Sequence, residues 1–101
     1  MESQTYHIQM STQLGPRCGT LTLTDQAGIL RGTLELLGHA NAVSGQMLHA
    51  GFCVFSGQMQ TLVSTIPYQA ACTLHDSGLQ GVFHTLSGDF TVTGQKAALE
   101  R

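Results

Sequence analysis

With 101 residues the chain suffices for one domain with a core of its own and is too short for two. Only 10% of the residues are charged, the net charge is −2, and the four basic side chains (Arg17, Arg31, Lys96, Arg101) are scattered, which excludes the basic stripe that tracks phosphates, so no nucleic-acid partner is expected. No apolar run approaches the roughly 18 residues of a membrane helix, no leader-like segment opens the chain, and three cysteines without Cys-x-x-Cys spacing suit a reducing compartment. A cytoplasmic protein with no membrane partner is the expectation.

Taken in order, the first candidate strand sets Tyr6, Ile8 and Met10 on one face and His7, Gln9 and Ser11 on the other. That alternation is the period of a half-buried strand. After Gly15-Pro16, the second strand turns Gly19, Leu21 and Leu23 inward and Cys18, Thr20, Thr22 and Thr24 outward. Asp25 and Gly28 fit the first and fourth positions of a type I turn, making a hairpin to a strand with Leu30, Gly32, Leu34 and Leu36 inside. Arg31 and Glu35 share its outer face. Gly38 to Asn41 should turn the chain, with His39 in that turn, into Val43, Gly45 and Met47.

Gly51 opens a fifth strand through Cys53, Phe55, Gly57 and Met59. Between Thr61 and Pro67 no turn former precedes the proline, so either this strand is long and bends at Pro67 or a turn hides near Leu62. Tyr68, Ala70, Cys72 and Leu74 then face inward. Asp76-Ser77-Gly78 turns into Leu79, Gly81 and Phe83, and Ser87-Gly88 into Phe90, Val92 and Gly94. Residues 96–101 are expected to fray.

Gly19, Gly32, Gly45, Gly57, Gly81 and Gly94 recur at steps of 13, 13, 12, 24 and 13 residues, most with an apolar residue two places to either side. Halving the long step lands beside Ala70, whose small side chain keeps the pattern. A unit of one short strand plus a turn therefore repeats about eight times. The fold class expected is all-β: a single-domain antiparallel meander of about eight short strands, closed or nearly closed into a small β-barrel, because closure removes exposed edges. Glycine in the inward row lets the strands coil sharply.

Chemistry-bearing residues do not converge. Asp25, Asp76 and Asp89 fit turn positions, where Asp bonds the local backbone, and only Glu35 lies within a strand. His7, His39, His49, His75 and His84 show no metal-ligand spacing, so no metal, no cofactor and no catalytic set is expected. Cys53 and Cys72 fall opposite each other on the inner face if the fifth hairpin turns at residues 62 and 63, and plain packing is their expected role.

A non-enzymatic binding module is the leading expectation. Central glycines reduce filling, and an eight-stranded barrel can hold one small ligand; the residues expected to line that space for an apolar or amphipathic small molecule are Leu34, Met47, Phe55, Met59, Tyr68 and Phe83. The alternative is a structural or assembly module with a filled barrel that acts as a homo-oligomer. Its outer face of Thr, Ser and Gln carries few repelling charges, and Leu48, Ala71 and Val82 are the candidate contact patch.

Overall fold

In the computed structural model, residues 2–12, 15–36, 38–49, 51–60 and 64–97 are described. They form eight strands: β1 (Glu2–Thr12), β2 (Gly15–Gln26), β3 (Ile29–Leu36), β4 (His39–His49), β5 (Phe52–Gln60), β6 (Thr65–His75), β7 (Gly78–Thr85) and β8 (Gly88–Lys96). Each pairs antiparallel with the next, and β8 pairs with β1, so the meander closes into a barrel. The period-two reading holds along the strands except at the bulge at Leu48 in β4. Leu21, Leu34, Cys53, Phe83 and Val92, all from inward rows, are fully or almost fully buried, and among the described residues no polar or charged residue joins them in the core.

Each repeat glycine sits opposite an apolar partner on both sides: Gly32 faces Leu23 and Val43, and Gly45 faces Leu30 and Phe55. Ala70 continues the series between Phe55 and Phe83. A methyl group added at Gly32 would fall on the Thr22 carbonyl oxygen, at Gly45 on that of Val54, and at Gly81 on that of Ala71. At Gly32, Gly45 and Gly81 the coiled strands thus come too close for any side chain. The room they leave is taken up by neighbours. Leu36 Cδ1 lies 2.9 Å, Tyr68 Oη 3.0 Å and Cys72 Sγ 2.6 Å from the place where a Cβ would stand on Gly19, Gly57 and Gly81.

The two barrel ends are built differently. At one end the carbonyls of Gly28, Gly51 and Ser77, in three hairpin turns, accept hydrogen bonds from the N–H groups of Met47, Leu74 and Lys96 at 2.7–2.9 Å, tying each hairpin to the following strand. At the other, Thr12 and Thr85 donate their hydroxyls to the carbonyls of Gly15 and Gly88 at 2.6 and 2.7 Å, so two hairpins share one Thr-x-x-Gly closure.

Three local expectations change, and one left open between two readings is decided. The β2–β3 loop is only Ala27-Gly28, with φ +55° and +86°, so both central residues are left-handed as in a type I′ turn, whose twist matches that of the flanking strands; Asp25 keeps a capping role, its Oδ1 accepting from Gly28 N–H at 3.1 Å. His39 is not in a turn: it opens β4 opposite Leu36. Lys96 does not belong to a frayed tail, because it pairs with Tyr6, and Ala97 N–H bonds the Thr5 carbonyl at 2.9 Å. Of the two readings of the β5–β6 connection the long strand bent at Pro67 is not found: β5 ends at Gln60, β6 runs antiparallel to it from Thr65, and Pro67 is the third residue of β6. Leu62 and residues 98–101 lie outside the described residues.

Candidate functional site

The barrel interior gathers most of the residues that the alternation singled out. Leu34, Phe55, Met59, Tyr68 and Phe83 are buried there, while Met47 is only half-buried and packs against the core from one end. At the middle, the rings of Tyr68 and Phe83 stack with centroids 4.6 Å apart, and Phe55 meets both edge-on at 6.4 and 5.9 Å. These are favourable aromatic geometries, and they are possible because Ala70, lying between Phe55 and Phe83, leaves the rings space. Half-buried apolar side chains close the ends, Met47 and Leu74 at one and Ile66 and Phe90 at the other.

One polar atom stands out in this apolar interior. Tyr68 is buried, with 3% exposure; its hydroxyl oxygen lies over Gly57, its direct partner on β5, and has no hydrogen-bond partner among the described residues. Burial raises its pKa strongly, with the nearby Cys72 thiol adding to the effect. A buried hydroxyl with no partner costs about 1–3 kcal/mol.

Cys53 and Cys72 are direct cross-strand partners, as the turn at residues 62 and 63 required, and both are free thiols. Burial pushes Cys53 up to about 11, and burial with the neighbouring Cys53 pushes Cys72 to about 12. Thiols held neutral in this way are poor nucleophiles. Among the described residues no group of three or more His, Cys, Asp or Glu side chains is placed to hold a metal ion. His7, His75 and His84 are exposed; His84 Nδ1 approaches Asp89 Oδ1 at 3.0 Å on the surface, and His49 stacks on Phe52 at 5.4 Å.

Two hollows lie on the outside of the barrel, where the coiled strands curve inward at the glycines. The larger, about 960 Å³, crosses β1, β2, β7 and β8 over Gly19 and Gly94 and is carpeted by side chains such as His7, Gln9, Thr20 and Gln95. The second, about 640 Å³, runs from Ile29 and Arg31 on β3 over Val54 and Ala71 to His84 on β7. Of the outer patch read from sequence, Ala71 and Val82 are direct partners on β6 and β7. Leu48 is the residue skipped by the bulge between Met47 and His49, and it is half-exposed.

Neither the unpartnered hydroxyl nor the outer hollows were read from the alternation. Tyr68 reads simply as an inward residue, and its isolation depends on which polar groups other strands bring. The hollows follow from register, which the hairpin centres encode.

The architecture is that of a small closed antiparallel β-barrel. No protein-family model and no curated protein matches the chain. A solved structure described as that of a redesigned beta barrel is similar in fold, with a TM-score of 0.68, 14% sequence identity, and coverage of 95% of this chain and 90% of that one. The likeness concerns the fold alone.

Proposed function

We propose that the barrel is a non-enzymatic binding module that takes one small apolar or amphipathic molecule among Phe55, Tyr68 and Phe83, with Leu34 and Met59 forming the remaining walls and Met47 at one end. The observation that carries this reading is the Tyr68 hydroxyl, buried and without a hydrogen-bond partner among the described residues. A ligand with a flat or aliphatic body and a single hydrogen-bond acceptor would satisfy that hydroxyl while its body replaced ring contacts of the same kind. Entry requires displacement of half-buried end residues, of which Ile66 and Phe90 mark one route.

The test uses two probes that differ by one hydroxyl, benzyl alcohol and toluene, followed through the ring proton resonances of Phe55 and Phe83. Wild-type protein should bind benzyl alcohol more tightly than toluene. Tyr68→Phe should abolish that preference while stabilising the unliganded fold by about 1 kcal/mol, by removing the unpartnered group. Equal binding of both probes by wild type, or no shift of either ring at millimolar probe, would overturn the reading.

A second reading, an assembly module acting as a homo-oligomer, is favoured by a separate observation: the outward apolar residues Val54, Ala71 and Val82 lie in one cross-strand row.

A further inference from the structure

The second outer hollow, about 640 Å³, falls within the roughly 300–1,000 Å³ usual for small-ligand sites. Gly45, Phe55 and Ala70, direct cross-strand neighbours, form its floor. Phe55 and Ala70 turn their side chains into the barrel, and Gly45 has none, so the floor is backbone and the side chains beside it stand up as two rims. One rim crosses β3 to β7 as Arg31, Ser44, Ser56, Gln69 and His84, each the partner of the next and all exposed. The other, two residues along each strand, carries Ile29, Val54 and Ala71, with Gln46 between the first two. The hollow is thus polar along one side and mainly apolar along the other.

Charge on the polar rim is unbalanced at one end. His84 is answered by Asp89, Nδ1 to Oδ1 at 3.0 Å. Arg31 lines the hollow and makes no ion pair among the described residues. Glu35, on the same outer face, lies four residues along β3, about 13 Å away, between Thr20 and Ala40. A guanidinium is a planar fork that takes a carboxylate through two parallel hydrogen bonds, and Ile29, 49% exposed, stands beside it on the apolar rim.

We infer that this hollow is a second binding site, separate from the interior, for a small molecule with a carboxylate head and a short aliphatic body. The head sits on the Arg31 fork with the Ser44 hydroxyl beside it. The body lies along Ile29, Val54 and Ala71, which span about 14 Å of surface from β3 to β6 at about 4.8 Å per strand. Tyr68 and Phe83, central to the interior, do not line the hollow.

Hexanoate and 1-hexanol share a chain and differ in the charge of the head. Titration of each at millimolar concentration and neutral pH, read at the backbone amide resonances of Gly45, Val54 and Ala71, tests the site; occupancy of the interior is read separately at the Phe83 ring, and circular dichroism checks that each variant keeps the fold. Wild type should bind hexanoate about threefold more tightly than hexanol at those amides. Arg31→Gln should remove the preference by weakening hexanoate alone, Val54→Thr should weaken both probes, and Tyr68→Phe should leave both unchanged. Amides that move with neither probe, equal affinity for the two, a preference that survives Arg31→Gln, or shifts that vanish in Tyr68→Phe would overturn the proposal. So would amides that respond to protein concentration and not to probe, which would give the hollow to a second copy of the chain.

Discussion

At the scale of single residues, buried neutral acids decide how the protein responds to pH. Cys53 and Cys72 ionise near the ordinary thiol value of 9.0 once unfolded, but only at about 11 and about 12 when folded, because burial disfavours the thiolate. Groups raised in this way contribute stability that is fully present below the unfolded pKa and is lost as pH rises through the folded one. Chemical denaturation should therefore show constant thiol contributions up to about pH 9 and a falling midpoint between 9 and 12, a fall that Cys72→Ala reduces. Alkylation at neutral pH should label Cys18, which is exposed, and reach Cys53 and Cys72 only on unfolding; labelling of all three at one rate in the native state would contradict their burial. The apposition of the two thiols was legible from sequence because a hairpin centre fixes every pair across it. The isolation of the Tyr68 hydroxyl was not, since it depends on the absence of polar partners from several strands at once.

The strand with its glycine is the next scale, and here two kinds of glycine separate. Gly15, Gly28, Gly38 and Gly88 have positive φ in or beside hairpin turns with open space around them, whereas Gly32 and Gly45 lie within strands against a neighbouring carbonyl. Replacing Gly28 by Ala strains only the backbone and should cost about 1 kcal/mol. Gly32→Ala must push β2 and β3 apart and should cost about 3 kcal/mol, at the upper end for overpacking. Thermal melting of the two variants ranks them; equal losses would mean that the repeat glycines serve turn conformation rather than strand approach. The alternation of side chains and the glycine period made strand number, facing and closure readable, because a strand that must bury one face has only one way to present it. The β2–β3 turn type was misread for a local reason. Asp25 at the first and Gly28 at the fourth position match a type I turn, but the ladder continues to Gln26 opposite Ile29 and leaves only Ala27 and Gly28 to reverse the chain.

For the whole molecule, closure leaves no free sheet edge, so interaction must use the interior or the outer face. Among the described residues the interior is apolar and marked by one unsatisfied hydroxyl, and the mostly polar outer face carries Val54, Ala71 and Val82 together with the exposed Ile29, Leu48 and Leu86. Sequence specified which residues point into the barrel but not how their atoms share the centre, because that depends on strand coiling at the glycines and on the rotamers of three rings. Native mass spectrometry of the protein purified gently from its own source reads the interior most directly. A reproducible small added mass on the folded chain, lost from the Tyr68→Phe variant, is the result expected of a binding barrel. The bare polypeptide mass in every charge state, with Tyr68→Phe indistinguishable from wild type, would contradict it.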